Sequence, residues 1–245
     1  MNACMSAPVS LDDRAVYMRP LPDGLEPLAS GRGRTLFTEA LLAGTMEGYF
    51  RLAQQFHTQA DPAFCGLGSL VCALNALGIQ PMRRWKGIWR WFSEELLDCC
   101  KSLEDVRRVG LTLDEVACLA RCSAVSVTVQ RASPANGDVI RTHLHEAATR
   151  SDGPVLVANY SRRAVGQTGD GHFSPIGGFH AGTDQVLVLD TARFKYPPHW
   201  MPVDLLFRAM QERDPVTAQP RGWLLLRSPD PTATGEISGG PGSLS

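Results

Sequence analysis

Three things are missing from this 245-residue chain, and each absence removes a class of function. Charge of one sign is missing: 24 Lys and Arg against 25 Asp and Glu give a formal net charge of -1, with no basic excess to meet a nucleic acid or an anionic membrane. Long apolar runs are missing: none approaches the roughly 20 residues of a spanning helix. The N-terminus carries Asp12, Asp13 and several prolines where a secretory signal would have an apolar core. A cysteine framework is missing as well. The seven cysteines, at 4, 65, 72, 99, 100, 118 and 122, are odd in number, lack the spacing of a secreted disulfide scaffold and include no Cys-x-x-Cys pair. A soluble, single-domain protein of a reducing compartment, the cytoplasm in the simplest case, is expected.

What is present centres on residues 58–78. From Phe64 the apolar residues Leu67, Leu70, Val71, Leu74 and Leu77 recur at helical spacing, and Gly78 stands where a left-handed cap would end the helix. Cys65 therefore falls on the first turn. The opposite face carries Cys65, Gly68, Ser69, Cys72 and Ala76, all small enough to admit a second element closely. A thiol at a helix N-terminus meets the positive end of the macrodipole, which favours the thiolate and makes Cys65 a candidate nucleophile. The plainer alternative is a buried cysteine that happens to begin a helix. Gln59, upstream across a proline-containing turn, is placed to donate with the Cys65 amide to a developing oxyanion.

Before that helix, residues 1–30 mix prolines and Gly24 with few periodic apolar positions and read as a loosely ordered arm, and 35–49 reads as a short amphipathic helix. Trp85, Trp89 and Trp91 are expected in the core for their packing area, with a ligand platform as the alternative. Ser93-Glu94-Glu95 is expected to cap a helix over Leu96 and Leu97. A helix at 111–121, a strand at 125–129 and a helix from Asp138 follow. His143 and His145 on that helix point to different faces and read as surface residues. From Gly153 the period changes to two. Segments 154–160, 171–180, 185–190 and 222–227 read as strands of an antiparallel sheet, with a hairpin turn at 181–184. The tail, 228–245, is rich in Pro, Gly, Ser and Thr and is expected to be disordered. The fold class is α+β, a helical half bearing Cys65 followed by a sheet half.

His172 and Asp190 lie on the two arms of that hairpin, so Asp190 is placed to hold the His172 imidazole by one nitrogen and leave the other for Cys65. A hydrogen-bonded core histidine is the alternative. Cys99, Cys100, Cys118 and Cys122 invite a metal reading, because Cys118 and Cys122 share a helix face. Adjacent cysteines do not easily serve one tetrahedral ion, and no nearby histidine completes a set, so no fixed metal site is expected there.

The runs Gly44–Gly48 (GTMEG), Pro62–Gly66 (PAFCG), Trp85–Gly87 (WKG), Trp89–Phe92 (WRWF), Leu97–Cys100 (LDCC), Gln167–Gly169 (QTG), Gly171–Gly178 (GHFSPIGG) and Ala192–Trp200 (ARFKYPPHW) resemble the catalytic domain of phytochelatin synthase across roughly 31–227. The resemblance implies a papain-like fold, a helical lobe with the nucleophile helix packed on an antiparallel sheet lobe. It also implies a transpeptidase that makes phytochelatins from glutathione in heavy-metal detoxification, with Cys65, His172 and Asp190 as triad and Gln59 at the oxyanion. No fixed cofactor is implied; cadmium or zinc enters as a glutathione thiolate complex. Partners are glutathione, phytochelatin peptides and heavy-metal ions, with a homodimer left open. Asp214 and Arg221, by family position, would hold the ends of the γ-glutamyl group. Arg193 and Lys195, alternating on a segment read as extended, would share a face toward an acceptor peptide, unless they are a solvated pair. Tyr196 belongs to the same run. Plant and yeast members continue into a cysteine-rich C-terminal region, whereas short bacterial relatives mostly cleave glutathione; the retained Arg193–Tyr196 run favours transpeptidation. The alternatives are a glutathione hydrolase with the same acyl-enzyme and a non-catalytic thiol protein that binds metal through Cys99, Cys100, Cys118 and Cys122.

Overall fold

A computed structural model describes residues 16–229. The order of elements is β1 (Glu26–Pro27), α1 (Gly31–Leu42), α2 (Glu47–Gln55), α3 (Cys65–Ala76), α4 (Leu103–Val109), α5 (Leu113–Cys122), β2 (Ser126–Arg131), α6 (Gly137–Thr149), β3 (Val155–Ser161), β4 (Gly171–His180), β5 (Gln185–Val188), β6 (His199–Pro202), α7 (Val203–Gln211) and β7 (Gly222–Arg227). Among the described residues seven strands form one sheet in the order β1-β6-β5-β4-β3-β7-β2, every neighbour antiparallel. The fold is α+β.

The alternation of side chains along the strands divides the core in two. Val155 and Val157 of β3, with Leu224 and Leu226 of β7, face a cluster built on Leu67, Leu70 and Leu74 of α3 and Val116 and Leu119 of α5. Leu156, Ala158, Trp223 and Leu225 face the other way, onto Ile140 and Leu144 of α6 and Leu206 and Met210 of α7. Strand β4 joins the two halves of the sheet: Gly171–Pro175 pair with β3, Ile176–His180 with β5, and a bulge lies between Ile176 and Gly178.

Helix α3 is buried on nearly every side, from Gly66 through Leu74, and Gly78 ends its turn at φ +69°. Burial of each leucine contributes about 1.5–3 kcal/mol, so the helix is held by packing and not by its own propensity. Helix α5 begins with a reciprocal cap between Thr112 and Glu115.

Several expectations are corrected. The 35–49 helix is two helices, cut at Gly44, which sits at φ +72°. Residues 16–30, read as a loose arm, are pinned: the Met18 and Arg19 amides donate to Phe194 and Lys195 carbonyls, and β1 pairs with β6. Residues 1–15, and the tail beyond 229, lie outside the described residues. The three tryptophans are not core: Trp85, Trp89 and Trp91 are 36%, 65% and 42% exposed around a shallow surface hollow, with Lys86 Nζ over the Trp85 ring. Over 94–96 there is only a single 3-10 turn without a Ser93 side-chain cap. Its Glu94 turns inward instead of capping. His143 is half-buried, accepting from the Trp223 indole, while His145 is exposed. Cys100 and Cys118 are joined as a disulfide. Among the described residues no helix is long and apolar enough to cross a membrane.

Candidate active site

Cys65 is the first residue of α3 and is partly buried. Phe64 offers no side-chain cap, so the first amides of the helix stay directed at whatever sits there. Burial pushes the Cys65 thiol up, against the pull of the Phe173 and Gly66 amides and the Arg162 charge. The low-pKa thiol expected from the helix end is therefore reversed, because desolvation outweighs the helix terminus.

The hairpin of β4 and β5 closes through a 3-10 turn at Ala181–Thr183, with Asp184 left-handed at φ +49°. It carries His172 and Asp190 to each other: Nε2 lies 2.9 Å from Oδ1, with the two side chains 3% and 0% exposed. His172 Nδ1 makes no hydrogen bond among the described residues. It is the ring nitrogen left to act on a neighbour.

Arg162 completes this group and was missed in the sequence. Its Nη2 lies 2.8 Å from His172 Nε2 and 2.9 Å from Asp190 Oδ1, the guanidinium also donates to Gln167, and the side chain is buried. Burial pulls the His172 pKa down to about 4, and the Arg162 charge adds to this against the attraction of Asp190. Burial opposes ionisation of Asp190, but the His172 and Arg162 charges prevail and hold its carboxyl well below the usual range. The available signal was the position of Arg162 directly after a strand buried throughout; the doublet itself does not single it out, because Arg163 beside it is exposed.

Gln59 is buried, with its backbone amide donating to the Thr191 carbonyl and its Oε1 accepting from the Thr191 hydroxyl at 3.1 Å. Its Nε2 donates to the Asp61 and Pro62 carbonyls at 2.8 and 3.1 Å, so both amide hydrogens brace the loop that leads to Cys65. Glu94 supports this loop from behind, accepting from the Ala60 amide at 3.0 Å. Gly68 makes the approach feasible: a Cβ there would meet Glu94 Oε1 at 3.0 Å and Gln59 Cβ at 3.2 Å.

Two clefts share Cys65 in their walls, along with Pro62, Asp170 and Gly171. One, of about 490 Å³, has Asp214 and Arg221 in its wall together with Asn159 and Thr112. Arg221 is buried and donates to the Glu212 and Arg213 carbonyls, with Asp170 at 3.3 Å and Asp214 at 3.9 Å. Its Nε has no partner among the described residues. The other cleft, of about 430 Å³, is bordered by Arg19, Arg162, His172 and Lys195.

The pairing of Arg193 with Lys195 is corrected. The segment is a turn, with the Lys195 amide donating to the Ala192 carbonyl, so alternation along an extended chain does not apply. Lys195 lines the second cleft and donates to the Thr168 carbonyl, whereas Arg193 lies over the Phe56 ring at 5.1 Å. Tyr196 is buried under the Arg162 guanidinium, with its hydroxyl accepting from the Thr168 amide at 2.9 Å. It supports Arg162 without lining either cleft. Cys99, Cys100, Cys118 and Cys122 are brought together away from both clefts.

The sequence profile of phytochelatin synthase matches residues 16–223. Glutathione gamma-glutamylcysteinyltransferase 1 of Triticum aestivum is 49% identical over 94% of this chain and 46% of its own length. Its counterpart in Arabidopsis thaliana is 47% identical over 88% of this chain and 44% of its own, and glutathione gamma-glutamylcysteinyltransferase of Schizosaccharomyces pombe is 42% identical over 87% and 51%. The chain spans about half the length of these curated relatives.

Proposed function

This chain belongs to the phytochelatin synthase family, and from that premise we propose that it transfers the γ-glutamylcysteinyl unit of glutathione to a second peptide through a thioester on Cys65. The observation that carries the reading is the place of Cys65 in the wall common to two clefts, one lined by three cations and three acids, Arg221 and Asp214 among them, the other by Arg19, Arg162 and Lys195 with Asp170 as its one acid. A papain-like arrangement of nucleophile helix and histidine-bearing sheet accounts for this placement. Residues 31–227, with 16–30 packed on them, form the catalytic unit.

In the first cleft Arg221 takes the γ-glutamyl carboxylate and Asp214 takes the amine. His172 Nδ1 accepts the Cys65 proton as sulfur attacks the carbonyl carbon between cysteine and glycine. The Cys65 amide receives the oxyanion, joined by Gln59 when its longer bond to Pro62 yields. The C–N bond then breaks, the His172 proton passes to the departing glycine amine, and the thioester remains. In the second cleft Lys195 and Arg19 attract the carboxylates of an acceptor. Its α-amine attacks the thioester, gives its proton to His172 and releases the Cys65 thiol. A soft metal ion enters as part of the substrate, coordinated by glutathione thiolates. The cytoplasm, which keeps glutathione reduced, is the proposed setting.

The test is to incubate the protein with glutathione, with and without cadmium, and identify products by mass. Glycine release with peptides longer than glutathione is expected, and both should vanish in Cys65→Ser. Turnover retained in that variant would sink the proposal, and γ-glutamylcysteine as the sole peptide product would assign a hydrolase.

A further inference from the structure

Residues 82–91 (MRRWKGIWRW) are exposed without interruption, between buried Pro81 and buried Phe92. Their centre is a small hairpin: the Trp85 amide donates to the Trp89 carbonyl at 2.8 Å, the Trp89 amide donates to the Lys86 carbonyl at 2.9 Å, and Gly87 turns the tip at φ +55°. Its base is fastened to α3, where the Asn75 side chain exchanges hydrogen bonds with both backbone groups of Phe92. We propose that this hairpin docks the protein on a membrane surface carrying anionic phospholipid, with Ile88 and the three indoles at the level of the headgroups and Arg84, Lys86 and Arg90 on the phosphates.

Composition is the first support. The ten residues hold five large apolar side chains and four cations, with no acid. Met82 and Ile88 are 91% and 77% exposed, and the tryptophans beside them are exposed as well, so packing within the fold does not account for the patch. Charge is the second. Asp98 takes Arg83 at 2.8 Å, but Arg84, Lys86 and Arg90 make no salt bridge among the described residues, and Lys86 lies over the Trp85 ring instead. Glu94 is buried against the Ala60 amide, which leaves Glu95 as the one exposed acid between the hairpin and Asp98. The even charge of the whole chain thus conceals a basic excess where the apolar side chains protrude.

The interleaving selects the occupant. Every indole has a cation next to it in sequence, so the patch calls for negative charge and an apolar layer together. A bilayer surface supplies both, with phosphates outside and hydrocarbon directly beneath, and tryptophan favours that boundary. A single-stranded nucleic acid would stack on the rings but offers nothing to Met82 and Ile88. A second copy set symmetrically against the first would bring like charges together. The hairpin is too short to pair all its own backbone groups, which holds it at the surface and out of the hydrocarbon. None of residues 82–91 lines either cleft at Cys65, so docking is tested apart from the proposed transfer reaction.

The test is sedimentation of the full-length protein with phosphatidylcholine vesicles, with or without about 30% phosphatidylserine, at about 0.1 M salt and without glutathione. Binding to the anionic vesicles alone is expected, with release at about 1 M salt. Fluorescence gives a second readout. Of the five tryptophans, Trp200 and Trp223 are fully buried, so a blue shift on binding and quenching by brominated acyl chains report on the hairpin. Arg84→Gln/Arg90→Gln and Ile88→Ser/Trp89→Ser should each weaken binding roughly tenfold or more, with melting temperatures within a few degrees of wild type. No binding to anionic vesicles, equal binding to neutral ones, or binding unchanged in either variant would overturn the proposal. So would self-association without lipid that the variants abolish, which assigns the hairpin to a second copy, or tight binding of a single-stranded oligonucleotide by protein that ignores the vesicles.

Discussion

Arg162 shows how one buried cation sets the chemistry of its neighbours. Its charge helps keep His172 neutral and Asp190 ionised, and it draws the Cys65 thiol down against burial. In the free protein at neutral pH Cys65 is thus a thiol and His172 a neutral imidazole, so on the proposed mechanism the proton moves only as sulfur attacks. The acid limb of kcat/KM should lie near the His172 value of about 4, well below 6.5. Arg162→Gln should move that limb upward, because removing a cation makes imidazolium easier to form. It should also cost about 3–5 kcal/mol by leaving the buried Asp190 carboxylate without its cationic partner, with only His172 and the Ala192 amide against it. A pH profile and a denaturation curve check both, and an unmoved acid limb would contradict the role given to Arg162. At the second cleft Lys195→Ala should lower the ratio of transferred to hydrolysed product roughly tenfold, about the worth of one charged contact. Arg193→Ala, on the Phe56 ring, should leave that ratio unchanged. Product analysis across glutathione concentrations separates the two.

Among the elements, α3 was legible because its leucine spacing, small face and terminal glycine all agree. Strands β3, β4, β5 and β7 were legible from their period and turns. Helix α7 was not recognised, though Val203, Leu206, Ala209 and Met210 line its buried face, because the segment is short and follows a proline-rich run without a side-chain cap. Within the candidate site, the placement of Cys65 at the head of α3 and the pairing of His172 with Asp190 were legible from local pattern, whereas Gln59, expected at an oxyanion, spends both amide hydrogens on the Asp61 and Pro62 carbonyls. Legibility failed where direction depends on tertiary contacts: the turn at Ala192–Lys195 parts Arg193 from Lys195, and the tryptophans stay on the surface despite their area. The small face of α3 has its own test. Gly68→Ala would gain up to about 1 kcal/mol of helix propensity, yet its Cβ presses on Glu94 and Gln59. The expected result is a melting temperature within a few degrees of wild type and kcat lowered roughly tenfold, at little change in KM, by a displaced oxyanion loop. Unaltered kcat would show that this loop tolerates the shift.

For the whole molecule, two histidines bracket the pH range of stability. His172 has a folded pKa of about 4, so between pH 6.5 and 4 the unfolded chain takes a proton that the native state refuses. Stability is full above 6.5 and falls by about 3 kcal/mol as pH drops through that window. His57 works in the opposite direction. Burial disfavours its charge, but hydrogen bonds to Cys72 and Glu94 prevail and push it up to about 10. Its contribution is complete below pH 6.5 and is lost as pH rises toward 10. Melting temperatures across this range should fall on both sides, and His57→Gln should flatten only the alkaline side; an alkaline decline equal to wild type would remove His57 from this role. The shared wall at Cys65 has a consequence in time. On the proposed reaction one sulfur cannot serve the occupants of both clefts together, so glycine should leave before the acceptor is joined. With glutathione as donor and a longer peptide as acceptor, double-reciprocal plots should run parallel. At high donor concentration glutathione should enter the acceptor cleft and become a competitor of the longer chain, keeping products short when it is plentiful and letting them lengthen as it is consumed.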